Sequence, residues 1–273
     1  MPGAFLFNNL VPGAASVVVN PDPLGGLSAA TPVSNLLDPQ PRLRVRTILS
    51  PAFMRVLVDF GRARSLDCVA AISSTAGSTA TVRVRLSMSD PTGIAGEIWD
   101  TGLAGAADTG PDANGNIVVV RAGGVVSGQY LLVDIVDGTQ DLFDLGLLVA
   151  GELWRLSRAQ SYGFREGRLM LDQRERNAFT GAEFPVPALF NPRFAAFAVQ
   201  NLGSTEIRTQ QRTMLRLLGA VQDALWIPDL SLSRFEMNRR AIWGAAAQPG
   251  DDAGPERVKF IGWLQAWRLV ERG

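Results

Sequence analysis

Four aspartates fall close together near the middle of the chain, Asp134, Asp137, Asp141 and Asp144. A glycosidase needs two carboxylates facing each other across a cleft, about 5–9 Å apart. Carboxylates and loop carbonyls are also the ligands that calcium takes. Asp137 and Gly138 form a turn signal between two apolar runs, which gathers the acids at one end of a strand pair as solvated turn residues. A second tract, Asp108 to Asn116, has the outline of a calcium loop but lacks a closing glutamate. Its Asn114 and Gly115 are a hairpin signal in themselves. The glycines between Gly102 and Gly110 do not lead from a strand into a helix, so a phosphate-binding loop has no support.

Two absences narrow the chemistry further. The chain has no histidine and one cysteine, Cys68. Without imidazole the usual general base near neutral pH is missing, and with it the imidazole-activated serine and cysteine nucleophiles. Zinc sites need histidine or cysteine in numbers that are lacking, and no disulfide can form within the chain. Cys68 sits in an apolar run ending at Ile72 and reads as a small buried hydrophobe. Trp226, Trp243, Trp263 and Trp267 crowd the second half, where exposed aromatics would suit sugar stacking or a partner's pocket; Trp263 and Trp267 share one strand face by parity and are expected to fill a core or a subunit contact. The stretch Arg165 to Arg176 is basic, but no aromatic ladder accompanies it, and nucleic acid is not expected. No catalytic, cofactor-binding or metal-binding residue is assigned, no cofactor is expected, and the chain reads as a non-enzyme.

The elements that would position these residues are mostly strands. In 273 residues, 47% are hydrophobic and 19% charged, enough for two ordinary cores. Val82, Val84 and Leu86 alternate with Thr81, Arg83, Arg85 and Ser87, the period of a strand with one wet face. Arg42, Arg44 and Arg46 alternate in the same way with Leu43 and Val45, which are expected inward. Met54, Val56, Val58 and Phe60 follow suit, and β-branched runs recur at Ile117–Val120, Tyr130–Val136 and Phe143–Val149. Turn formers separate them, so residues 1–152 are expected to be a β-sandwich or jelly roll.

Residues 153–273 read as a smaller α+β, split-barrel-like domain. One helix is expected from Ser204 to Leu218, with Ser204 as its cap, Gly219 just past its end, and Ile207, Met214, Leu218 and Val221 on one stripe. Strands are expected at Arg168–Leu171, Arg193–Gln200, Ala224–Pro228, Ala241–Ala246 and Arg257–Val270, with a polar loop from Gln248 to Pro255. Charge supports the division. Residues 1–150 hold 9 arginines and 13 acids, a net of −4, and the remainder carries +4. No apolar run approaches the roughly 18 residues of a membrane span, and the first nine residues do not have the pattern of a signal peptide.

Three segments carry a resemblance: Leu57 to Ala71, Ala80 to Ser87, and Glu97 to Gly102. Together with Gln129 to Asp137 and Asp144 to Gly151 they resemble discoidin-like (coagulation-factor type C) jelly rolls of the variety carried by tailed-phage and prophage structural proteins. The tract from Phe194 to Val270 is similar to the split-barrel folds of distal-tail proteins. The resemblance implies a tail-tip or baseplate component of a virion, made in the bacterial host cytoplasm and bound to other tail proteins. Self-assembly as a ring or trimer is expected from it and from the opposite charges of the two halves. The alternative is a carbohydrate-binding adhesion module that uses the jelly-roll loops on a host-surface glycan.

Overall fold

The computed structural model describes residues 2–20, 31–48, 52–77, 79–105, 114–160, 164–169, 171, 173–176, 183–186, 191–218, 223–247, 256–258 and 262–272. The chain is mainly β and forms two compact units, one of Met1–Leu156 with Leu225–Ala241, the other of Ser157–Ala224 with Ile242–Gly273. The division expected at residues 152 and 153 assigns 225–241 to the second domain. Their backbone clusters instead with the first unit.

The first unit is an antiparallel β-sandwich. One sheet runs in the order Ser16–Val19, Ala52–Leu66, Val126–Asp137, Thr81–Ser87, Trp99–Asp100, with Ala104–Gly105 also on Thr81–Ser87. The other places Cys68–Ile72 between Leu147–Gly151 and Ile117–Val120. Alternation sets what lies between them. Met54, Val56, Val58, Val82, Val84, Leu86, Leu131, Val133 and Ile135 come from the first sheet, and Val69, Ala71, Val119, Leu148 and Ala150 from the second, all buried in one core. Each valine, leucine, isoleucine or methionine among them contributes about 1.5–3 kcal/mol by leaving water, which holds the layers together against the entropy of ordering the chain.

The opposite face of the first sheet departs from the wet face expected. Asp134, in the middle of Val126–Asp137, is paired with Arg83 across the ladder and lies beside Arg85 and Arg55. Arg55 Nε donates to its Oδ1 at 2.6 Å, and Arg85 closes on its Oδ2. Arg85 and Ser87 are buried because the segment after them folds back: Arg85 Nη1 donates to the Ile94 carbonyl at 3.1 Å, and Ser87 Oγ accepts from the Gly96 amide at 3.0 Å. A period of two reports which side of a sheet a residue is on, not whether a loop will later cover that side.

Three short strands finish this unit: Trp154–Arg155 and Leu225–Ile227 flank Ala4–Leu6. Phe5 lies 4.5 Å from Trp226 and 5.7 Å from Trp154, ring centroid to centroid. The helix Arg234–Arg240 then lies along Ile117–Val120, an edge strand, through side-chain amides. Asn238 Oδ1 accepts from the Val118 amide at 2.7 Å, and Asn116 Nδ2 donates to the Ala241 carbonyl at 3.0 Å. Asn114 Nδ2 donates to the carbonyls of Asn238 and Arg239. An exposed edge is a template for unwanted pairing, and this one is covered.

In the second unit an antiparallel sheet takes the order Ile242–Ala247, Gly262–Glu271, Arg193–Leu202, Arg165–Arg168, with Glu256–Val258 also on Gly262–Glu271. Gln173–Arg176 and Glu183–Val186 form a separate hairpin. Phe197 packs 5.6 Å from Trp267, and Arg193 Nε donates to Glu271 at 2.9 Å. The helical segment spans Ser204–Leu218 as expected, with Ile207, Met214 and Leu218 buried. It differs in two respects. Ser204 is its first residue and Gly203 the cap, with no side-chain cap bond, and Ile207–Gln211 is a π turn. Gly219, Val221 and the Gln248–Pro255 loop lie outside the described residues.

Candidate functional site

The acidic run does not gather into one site. Asp134 is buried in mid-strand between Arg55 and Arg85. Asp137 is buried at the strand's end, where its carboxylate accepts from the Gly77 amide at 2.6 Å and the Thr139 amide at 3.0 Å, and from the Thr139 hydroxyl at 2.8 Å. Burial works to raise its pKa, but these bonds hold it below the ordinary range. Asp141 is exposed. Asp144 belongs to Arg46, as described next. Among the described residues no group of three or more acids or cysteines is placed to hold a metal ion. The expected cluster of solvated acids is corrected: three of the four are buried and held, Asp134 by arginines in mid-strand and Asp137 and Asp144 by donors gathered at strand ends.

At Asp144 the fold builds a polar edge. Val45–Arg46 pairs antiparallel with Asp144–Leu145, so Arg46 stands opposite Asp144. Arg46 donates to both carboxylate oxygens, Nε at 2.7 Å and Nη2 at 2.9 Å, a bidentate fork. Arg44, two residues earlier and on the same side, puts Nη1 3.9 Å from the same carboxylate and donates from Nη2 to Ser73 Oγ at 3.1 Å. The hydrogen bond and charge of Arg46 hold the Asp144 carboxyl below its usual range, so it stays ionised. Both arginine side chains remain open to solvent, Arg44 at 38% and Arg46 at 47%.

The loop behind this edge is under strain. Ser73 has φ +58°, a left-handed conformation that costs a residue with a Cβ about 1–2 kcal/mol. Its amide donates to Asn116 Oδ1 at 3.3 Å, and the next amide, of Ser74, donates to the Gly115 carbonyl at 2.7 Å. Gly115 is itself left-handed, and a Cβ there would strike the Ser74 carbonyl, so only glycine fits. Thr75 is tied to Asp144 in both directions: Asp144 N donates to its Oγ1, and its amide donates to the Asp144 carbonyl. Beyond the Arg46–Asp144 pair, Thr47 N donates to the Phe143 carbonyl at 3.1 Å, and the next two side chains, Ile48 and Leu142, are 56% and 44% exposed. Guanidinium, hydroxyl and exposed apolar groups thus follow one another along this strand pair.

The sequence pattern at 42–46 pointed to a strand but not to this edge. Val45 is buried as expected, whereas Leu43 is 40% exposed because its amide donates to the Gln40 carbonyl in a tight turn. Arg42 lies in that turn and donates to Gln40 Oε1. Ser73 and Thr75 carried no signal of their own. They meet the arginines only through strand pairing across many residues of chain.

The remaining candidates are structural. Trp226, Trp243 and Trp267 are buried, and nothing is described of the Trp263 side chain. Cys68 is buried and its thiol is pushed well up by burial, in keeping with an inert hydrophobe. Arg165–Arg168 is an exposed strand, and residues 108–113 lie outside the described part. Asp223 is held above the ordinary range by burial, against the pull of Arg272, whose Nε donates to it at 3.0 Å.

No protein-family model matches the chain, and a search of curated proteins gives no match either. Solved structures do match. One is chitosan-binding module 1 from a chitosanase/glucanase of Paenibacillus sp. IK-5, with 13% identity, 52% of this chain and 98% of that one covered, and a TM-score of 0.38. Another is CBM32-1 from a family 31 glycoside hydrolase of Clostridium perfringens, at 11% identity, 54% and 99% coverage and a TM-score of 0.36. A third is the lectin domain of Lectinolysin in complex with Lewis B antigen, at 10% identity, 53% and 96% coverage and a TM-score of 0.38. The chain is mainly β, and its first unit is an antiparallel β-sandwich. The expected tail-tip role is corrected: these matches are carbohydrate-binding and lectin modules, and nothing among them points to a phage tail. Diffuse strand alternation is common to antiparallel sandwiches of every function, so it reports the fold and not the assembly. At this level of identity and superposition the matches do not transfer a ligand, and the tail partners expected from the resemblance find no support among them.

Proposed function

We propose that this chain is a non-enzymatic carbohydrate-binding adhesion module, with the edge around Arg44, Arg46, Ser73 and Asp144 as its binding surface. The observation that carries this reading is the edge itself: exposed guanidinium donors beside exposed Ile48 and Leu142, on a surface tied down by hydrogen bonds and a strained serine. Sugars are amphipathic, with hydroxyls at the ring edge and C–H groups on its faces. Fixed donors satisfy the hydroxyls at about 0.5–1.5 kcal/mol net each, and apolar side chains cover the ring face. The discoidin-like pattern of the sequence is in keeping with this use.

The electrostatics argue against hydrolysis at the same place. A glycosidase general acid is a carboxyl held protonated near neutral pH. Asp137 and Asp144 are pushed the other way, by amide and hydroxyl donors in one case and by Arg46 in the other. The reading is tested by a glycan array followed by isothermal titration on the full chain. Binding at millimolar affinity or better, weakened at least about threefold by Arg44→Gln, is expected. A chain that binds no glycan overturns it.

A further inference from the structure

At Asp144 two guanidiniums meet one carboxylate, and Asp38, which accepts from the Gln40 amide, is the acid of the adjoining turn. Arg44 and Arg46 both turn to Asp144, the one carboxylate bonded to either among the described residues. Two residues apart in extended chain, they stand about 6.5–7 Å from each other along the strand. Arg46 presents one edge of its guanidinium to Asp144, and Arg44 uses one N–H on Ser73. A guanidinium has about five N–H donors, so each keeps several directed to solvent. Arg42 adds a third guanidinium in the adjoining turn, with its Nε on Gln40.

Strain supports a ligand rather than an idle ion pair. Ser73 is held left-handed through Asn116 and Gly115, and its hydroxyl is the acceptor that fixes Arg44. A surface arginine needs no such preparation merely to sit in water, whereas preorganised donors lose less entropy when they bind an anion.

We infer that this edge recognises glycans bearing carboxylates, chains of uronic acid units in particular, an inference that rests on the carbohydrate-binding reading above. Planar carboxylates match the guanidinium fork in geometry as well as charge. Ile48, two residues on from Arg46, and Leu142, two residues before Asp144, are exposed on the same strand pair and can take the apolar ring face.

The experiment titrates the full chain with trigalacturonic acid, its methyl ester, and a thymidine oligonucleotide of equal charge. The acid binds about tenfold more tightly than the ester, and the margin narrows as salt rises. The variant R44Q/R46Q, checked by thermal melting to be folded, binds acid and ester alike. Should it fail to fold, Arg44→Gln alone, which leaves the Arg46–Asp144 pair in place, is expected to lose most of the margin. An ester bound as tightly as the acid overturns the inference and leaves the carbohydrate reading standing. An oligonucleotide bound as tightly as the trisaccharide overturns it in favour of unspecific polyanion binding. Failure of both sugars to bind overturns the inference, and the glycan array then decides the carbohydrate reading separately.

Discussion

Glu97 shows how a single exposed side chain can tie a loop together. Its carboxylate gathers its own backbone amide, the Ser87 hydroxyl and the amides of Ser89 and Met88, the last at 2.6 Å, and its pKa falls to about 2. A carboxyl whose folded pKa is depressed adds stability that is complete above its unfolded value and lost as pH falls through the folded one. For Glu97 that window runs from about 4.5 down to about 2. Glu97→Gln should therefore be less stable than the parent at neutral pH, and the gap should close across this window. Urea midpoints measured from pH 6 to pH 2 check it, and a gap independent of pH would contradict the assignment. Arg85 and Asp134 are the buried counterpart. The sequence pattern puts Arg85 on a wet face and Asp134 among solvated turn acids, whereas the returning segment at Ile94–Gly96 covers Arg85 and leaves it paired with Asp134.

Among the elements, the two helices contrast in how they start. Arg234–Arg240 begins after Ser233, whose Oγ accepts from the Glu236 amide at 3.3 Å. The pattern Ser-x-x-Glu is a capping-box signal, but a helix of about two turns adds no apolar stripe long enough to stand beside it in the sequence. Ser204–Leu218 is longer and its apolar stripe was legible, yet Ser204 does not cap it. Capping depends on one hydrogen bond at one residue, whereas the stripe is a sum over three turns, so the stripe is the sturdier signal. Leu218 is 3% exposed, and Leu218→Ala should cost about 2–5 kcal/mol in chemical denaturation. A variant as stable as the parent would show that the stripe does not hold the helix in place.

For the molecule as a whole, the first unit is completed by residues far along the chain. Leu225–Ile227 pairs with Ala4–Leu6, Trp226 packs on Phe5, and the helix Arg234–Arg240 covers the edge strand Ile117–Val120. A fragment ending at Leu156 would expose Phe5 and leave the Val118 amide without Asn238. Losing a buried tryptophan alone is worth about 3–5 kcal/mol. The fragment Met1–Leu156 should accordingly unfold at a lower urea concentration than the first unit within the full chain, followed by the fluorescence of Trp99 and Trp154. Equal midpoints would mean that 225–241 is dispensable.

What the sequence by itself determined is what depends on neighbours in the chain. Alternation at Thr81–Ser87 named the strand and its inward face, and the 3.6-residue stripe named the helix, because periodicity is a local property that burial only has to read out. The lack of histidine ruled out imidazole chemistry before any fold was known. Tertiary structure decided everything that depends on residues distant in sequence. It separated the four aspartates that look like a cluster, because Asp134 and Asp137 belong to one strand and Asp144 to another, each beside different donors. It also brought Arg44, Ser73 and Asp144 together, since contact across a sandwich is set by strand order and register, and neither is written in the spacing of the residues that meet.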